Sequence, residues 1–388
     1  MRRTLKWCLA VLILNVLILL SACAAAAETE DAQKLHEQKN YAEATKQSAP
    51  SAKKGDGDAP KIEDAQKLYE QKDYVEALKL LTPLAEKGDA DAQYLLGECF
   101  FRGYGESEDL ATAAHWYELA AEQGNAKAQT MIGTCYLRGD GVAQDYEKAV
   151  EWLSLSAEQG DGMAIYNLAT CYHNGTGVET DTSKALALLT DAAEQGIAIS
   201  QYDLASCYAY GDGVDANIDK ALEWYIKAAE QGFAPAQVQL GNVYSQYKSK
   251  IDYEKSLKWY RLAAEQDFPA GQNALGNCYY YGQGVEQSYD EAIAWYQKAA
   301  EQGNESAQYN LAECYYFGNG VTQDYAKAVE LYTTLAETGY LMAQYNLGIC
   351  YYEGTGVPVD HDQAKLWLQK AADQGDPYAM QFIMEHLS

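Results

Sequence analysis

Thiols, imidazoles and carboxylates do much of the chemistry that proteins do, and in this chain the thiols are spaced with unusual regularity. Seven of the nine cysteines (Cys99, Cys135, Cys171, Cys207, Cys278, Cys314 and Cys350) recur every 36 residues, with one gap of 71. Three chemistries are open to such a series: disulfide pairing, metal ligation and nucleophilic attack. Pairing needs Cα atoms within about 7 Å. Equivalent helices of stacked units lie about 8–10 Å apart, so the seven are expected to be free thiols that act as small core hydrophobes. Metal ligation needs clustered partners, and His36, His115, His173, His361 and His386 have no such spacing. Attack needs a thiolate, which an apolar setting disfavours. Acidic residues are plentiful, but none forms a recognisable catalytic pair, and GxxxxGK, GxSxG and HExxH elements are absent. No catalytic residue, metal or cofactor is therefore expected. The sequons at Asn174 and Asn304 are read as chance matches.

The elements that place these thiols come from a repeated phrase. Its last residues are Gly88, Gly124, Gly160, Gly196, Gly232, Asp267, Gly303, Gly339 and Gly375, spaced by 36 residues except for one step of 35. A period of this size marks a solenoid, whose units bury their apolar faces only by stacking. In the unit after Gly124, Ala128, Ile132, Gly133, Cys135 and Tyr136 gather on one side of a first helix. Gly139 and Gly141 end that helix and shape a loop over Val142, and Asp145 caps a second helix that buries Ala149, Trp152, Leu153 and Ser156 or Ala157. The small residue at Gly133 lets the two helices approach closely. The six tryptophans outside the leader share one repeat position and are expected in the core. One unit departs from the pattern: between Gly232 and Asp267 the loop glycines become Tyr247 and Ser249, and Val243 takes the cysteine position. A different loop, and a hinge or change of twist, are expected there; a harmless drifted repeat is the alternative.

Ahead of the repeats, Arg2, Arg3 and Lys6 precede an apolar run from Leu9 to Leu20, the layout of an export signal over residues 1–22. Leu20-Ser21-Ala22-Cys23 resembles the bacterial lipobox, which implies that Cys23 is lipidated and anchors the chain to a membrane, with Ala24 lacking the aspartate of inner-membrane retention. Cleavage within Ala24 to Ala27, giving a soluble periplasmic or secreted product, is the alternative. Residues 23–61 read as a stalk and flexible linker, 62–88 as an N-terminal helical hairpin, 89–375 as eight repeats and 376–388 as a capping helix. The formal net charge is −27, so a phosphate backbone would be repelled and nucleic acid is an unsuitable partner. Such a surface serves solubility, and it would also attract a basic partner.

The matching residues Ala307, Leu311, Ala312, Tyr315, Gly318, Gly320, Val321, Asp324, Ala328, Tyr332 and Ala336, repeated in register through eight units, closely resemble the Sel1-like repeat, a relative of the tetratricopeptide repeat with a longer interhelical loop. The resemblance implies an all-α fold: an α-solenoid of stacked antiparallel helix pairs wound into a right-handed superhelix whose first helices line the concave face. Counted from each phrase ending, positions 6, 10 and 13 project opposite core positions 4, 8 and 11. Tyr94, Tyr166, Tyr202, Tyr309 and Tyr345 stand at position 6, and Tyr280, Tyr316 and Tyr352 at position 13. Tyrosines on a face that packing does not require suit a protein or peptide partner. For any one of them, stacking on a neighbouring tyrosine is the alternative.

The family commonly supplies adaptors, which points to a non-enzymatic scaffold at the bacterial cell envelope, in the form of an outer-membrane lipoprotein. A rival is β-lactam binding or hydrolysis, proposed for cysteine-rich relatives; those pair two cysteines per repeat, and this chain has one. A role in envelope polysaccharide or secretion assembly differs only in the ligand. The anchor is directly testable: radiolabelled palmitate should enter the wild-type chain in a bacterial host and not its Cys23→Ala variant, and equal labelling of the two would reject lipidation.

Overall fold

A small residue at the ninth place of each unit sets how closely two helices can lie. In the computed structural model, which describes residues 61–247 and 250–387, a methyl group built on Gly97 would come within 2.7 Å of the Tyr117 ring, and one on Gly276 within 2.6 Å of the Tyr296 ring. Neither contact is possible for a real Cβ, so the ring of the second helix rests on the bare backbone of the first. Gly133 and Gly348 receive Leu153 and Leu368 in the same way.

Among the described residues there are nineteen helices and no strand. They are α1 (Ile62–Glu70), α2 (Tyr74–Glu86), α3 (Ala90–Arg102), α4 (Leu110–Glu122), α5 (Ala126–Arg138), α6 (Tyr146–Glu158), α7 (Gly162–Asn174), α8 (Thr182–Glu194), α9 (Ala198–Tyr210), α10 (Ile218–Glu230), α11 (Ala234–Gln246), α12 (Tyr253–Glu265), α13 (Pro269–Tyr281), α14 (Tyr289–Glu301), α15 (Glu305–Phe317), α16 (Tyr325–Glu337), α17 (Leu341–Glu353), α18 (His361–Asp373) and α19 (Pro377–His386). The leader, Cys23 and the linker up to residue 60 lie outside the described residues. The described residues form two compact units, one within 61–228 and the other within 229–387. Each is an α-solenoid in which a helix packs on the one before it and the one after it, pair upon pair.

Short-range chemistry ends each helix where the pattern predicts. Asp145 accepts a hydrogen bond from the Lys148 amide at 3.1 Å, and Asp109, Asp181, Asp252 and Asp324 cap their second helices alike. The second loop glycine has a further duty. A Cβ on Gly141 would strike the Leu110 carbonyl at 2.0 Å, and one on Gly356 the Tyr325 carbonyl at 2.4 Å, so this residue seats the loop on the second helix of the preceding repeat. The irregular unit behaves as its sequence suggests: α11 ends at Tyr247 in an extended conformation instead of a left-handed glycine. Asp267 takes the left-handed position itself, at φ 63°.

A glutamine relay ties successive helices together. The position-5 glutamine of a first helix donates to the last turn of the preceding second helix: Gln93 to the Ala85 carbonyl at 3.0 Å, Gln237 to Ala229 at 3.1 Å and Gln344 to Ala336 at 3.1 Å. It then accepts from the glutamine that closes its own repeat, with Gln123, Gln266 and Gln374 donating at 2.7–2.8 Å. Each buried amide thus joins three helices, at about 0.5–1.5 kcal/mol net per bond. In the unit after Gly160 an apolar Ile165 replaces the glutamine, and Gln195 turns to Asp191 at 3.3 Å.

Two expectations about the core come out differently. The seven thiols are free, and all but the half-buried Cys207 are buried, as read from the repeat. The tryptophans are not core residues, Trp367 excepted: Trp116, Trp152, Trp224, Trp259 and Trp295 are half-buried. The fully buried side chain is the next residue, Tyr117, Tyr225 or Tyr296, and Tyr332 follows Leu331 in the same way. One helical step of about 100° turns the tryptophan to the flank. There a lysine covers it, with Lys227 3.5 Å from the Trp224 ring centroid, Lys298 4.1 Å from Trp295 and Lys370 3.8 Å from Trp367.

Among the described residues Ser200 is the exception to a well-satisfied interior. It occupies core position 4, where the neighbouring units carry Ala164 and Ala236, and its hydroxyl is fully buried without a hydrogen-bond partner. Replacing Ser200 with alanine should therefore stabilise the chain by about 1–3 kcal/mol. Thermal unfolding would read this as a raised midpoint, and a lowered midpoint would contradict it.

Candidate interaction face

The first-helix face is built by packing before it is available to a partner. A first helix touches its own second helix and also the helices on either side, so position 6 points into a seam. Tyr94, Tyr166 and Tyr202 are accordingly buried, at 5, 5 and 7% exposure. Tyr94 lies 6.1 Å from the Tyr117 ring and Tyr202 5.7 Å from Tyr225. The Tyr166 hydroxyl donates to Asp203 of the next repeat at 3.0 Å. The premise that packing makes no use of this face is thus corrected for these three. Tyr309 is half-buried between Tyr332 at 5.9 Å and Tyr340 at 5.6 Å, and its hydroxyl accepts from Asn346 at 2.9 Å. Tyr345 is half-buried against the cluster of Leu368, Ala371, Ala372 and Ala379.

Position 13 lies nearer the rim. Tyr280 and Tyr316 are half-buried and meet the opening residues of their second helices edge-on, Tyr289 at 5.1 Å and Tyr325 at 5.2 Å. Tyr352 packs on His361 and Phe382, both at 5.0 Å. The residues with most free surface are at position 14, which the sequence reading passed over: Tyr210 (63% exposed), Tyr281 (64%) and Phe317 (56%). A signal for them exists. Other units carry Arg138, Asn174, Gln246 and Glu353 at this place, and these polar residues mark it as solvent-facing; Arg102 is the one that turns inward.

Beneath these rings runs a polar row. The buried tyrosine of each second helix directs its hydroxyl at position 10: Tyr117 donates to Glu98 at 2.6 Å, Tyr260 to Asn242 at 2.7 Å, Tyr296 to Asn277 at 2.6 Å and Tyr332 to Glu313. Ser206 and Tyr225 share a bond of 3.0 Å. Where the tyrosine becomes Leu153 or Leu189, position 10 is Thr134 or Thr170, each bonded back to its own helix. With Leu368 it is the apolar Ile349. Burial raises the Tyr117 and Tyr225 hydroxyls well above the ordinary phenol range, so both are neutral donors. Burial likewise pushes Cys99 and Cys314 up to about 12 and Cys171 to about 11. Such thiols are protonated at neutral pH and unsuited to attack. Among the described residues no group of three His, Cys, Asp or Glu is placed to hold a metal, and no helix is long and apolar enough to cross a membrane.

Helix pairs, a left-handed glycine stop, a loop glycine on the previous repeat and a shared core register define this fold, and the Sel1 repeat family model matches the chain in nine segments: 68–89, 90–125, 126–161, 162–197, 198–233, 234–268, 269–304, 305–340 and 341–376. The chain belongs to the Sel1 repeat family. The first, shortened match covers most of the N-terminal hairpin. Among solved structures, the chain is similar to c5321, a protective antigen present in uropathogenic Escherichia coli strains that displays an SLR fold, with 38% identity, a TM-score of 0.65 and coverage of 78% of this chain. It spans 65% of that protein's length. It is also similar to a Sel1 repeat protein from Oxalobacter formigenes, with 30% identity, a TM-score of 0.58 and coverage of 87% of this chain and 97% of that one. No curated protein matches the chain.

In the Sel1 array the carboxylate of Asp203 gives the face a pH dependence. Burial pushes this group up to about 6 from its ordinary 3.8, against the lowering effect of the Tyr166 hydroxyl bond. The folded state then holds the proton more tightly than the unfolded one. The stabilisation is full below about pH 4 and is lost as pH rises through about 6. Asp203→Asn should remove this loss, so that its stability changes less than that of the wild type between those limits in chemical denaturation. Parallel pH profiles would refute the assignment.

Proposed function

We propose that this Sel1 array is a non-enzymatic scaffold at the bacterial cell envelope that holds a protein or peptide partner on the concave, first-helix face. The observation that carries the reading is the pair Tyr281 and Phe317, exposed by 64 and 56% at the same position of adjacent repeats. Neither is needed to complete the packing beneath it, and both stand where other repeats place polar side chains. Aromatic side chains in this setting offer large contact area at low entropic cost. Tyr280, Tyr309, Tyr316, Tyr345 and Tyr352 supply the half-buried walls around them, while Tyr94, Tyr166 and Tyr202 hold the seams. Solenoids generally bind along such surfaces. Placement at the envelope rests on the leader and Cys23, and a basic character of the partner on the net charge of −27.

The test is crosslinking of the exported protein in cells, identification of its neighbours by mass spectrometry, and calorimetry with the purified candidate. Tyr281→Ala combined with Phe317→Ala should weaken binding by about 2 kcal/mol or more, roughly thirtyfold, with little change in melting temperature. Undiminished affinity would discard this face. Sustained hydrolysis of a chromogenic β-lactam by the purified chain would overturn the non-enzymatic reading.

A further inference from the structure

Two of the eight full repeats carry a glutamate at position 10, and they treat it differently. In α3 the Glu98 carboxylate, 3% exposed, receives the Tyr117 hydroxyl on Oε1 and the Arg102 guanidinium on Oε2, at 2.6 and 2.9 Å. Arg102 is the position-14 residue of the same helix, one turn on, and its side chain is also largely buried. The chain thus supplies its own counter-ion. In α15 the equivalent Glu313 again receives the tyrosine of its second helix, Tyr332, on Oε1. The remaining partners are neutral: Asn346 donates at 3.1 Å and also bonds the Tyr309 hydroxyl beside it. Position 14 is Phe317, and among the described residues no cation meets this carboxylate.

The surroundings of the two glutamates correspond. Each lies within electrostatic reach of a tyrosine from the preceding first helix, Tyr69 for Glu98 and Tyr281 for Glu313; local desolvation of the phenol oxygen raises both hydroxyls first, although the Tyr281 side chain as a whole is mostly exposed, and the glutamate adds to it. Glu313 differs in being half-buried, and its neighbours Tyr281 and Phe317 are open to solvent. A partly desolvated carboxylate without a cation is costly, and a guanidinium that also stacks on aromatic faces suits it better than an ammonium. The charge of −27 would bring such a group in.

We propose that Glu313 is the counter-ion for an arginine side chain presented by the partner, which lies against Tyr281 and Phe317 in the place that Arg102 takes beside Glu98. This rests on the first-helix face being the partner surface. The probe is N-acetyl-arginine amide, titrated into the exported protein carrying ring-labelled tyrosines and followed by NMR, with the neutral citrulline analogue alongside. Arginine should shift a subset of tyrosine signals at least about tenfold more tightly than citrulline. Glu313→Gln, which keeps an acceptor for Tyr332, should abolish that preference, and the exposed-surface control Glu301→Gln should retain it. Phe317→Arg, which restores the internal pair seen in α3, should raise the melting temperature and abolish the response to added arginine. Equal response to arginine and citrulline, a wild-type response from Glu313→Gln, or an undiminished one from Phe317→Arg would each overturn the proposal. A partner lost by the Tyr281→Ala/Phe317→Ala variant but held fully by Glu313→Gln would reject the counter-ion and leave the face. A partner held by the double alanine variant, with the arginine preference intact in wild type, would reject the face instead.

Discussion

The close seating of a large second-helix side chain on the small residue at position 9 of its first helix is the constraint from which the rest of each repeat follows. Because Gly97, Gly241 and Gly276 leave no room for a side chain, the rings of Tyr117, Tyr260 and Tyr296 sink into the interface. A buried phenol must bond, so position 10 holds Glu98, Asn242 or Asn277 to receive it. That choice lays a polar row along the first-helix layer, which the residues at positions 6 and 7 extend. Position 14, at the end of the helix, escapes these demands except at Arg102, which turns inward to Glu98. The surface offered to a partner is therefore what remains after the packing has been met.

Much of this was legible in the chain itself. The 36-residue period gave the helix pairs, their stops and caps, and the free state of the seven thiols, because each depends on local chemistry repeated many times. The details that were missed share one cause. A projection of a single helix distinguishes buried from exposed against one neighbour, whereas a solenoid helix has several. Tyr94, Tyr166 and Tyr202 looked outward in such a projection and prove to fill seams between repeats. Trp116 and Tyr117 are adjacent, both large and both periodic, and nothing in their spacing tells which enters the core.

The irregular unit shows how far the pattern can be relaxed. It loses its loop glycines and one residue of length, yet Gly241, Tyr260, Gln237 and Asp252 keep their contacts. The helix-to-helix contacts are thus less tolerant than the loop. Ser200 makes the same point from the other side: a misfit of one buried hydroxyl is carried without a shift of register.

The loop glycine that rests on the preceding second helix, Gly141 on Leu110 or Gly356 on Tyr325, gives the array a polarity. Each loop needs the repeat before it and asks nothing of the repeat after it. During synthesis a newly emerged repeat therefore meets a finished template already outside the ribosome, and growth runs with translation. By the same logic, losing repeats from the carboxyl end leaves every remaining loop on its seat, although it bares the apolar face of the last pair, whereas losing them from the amino end strands the first loop without a seat.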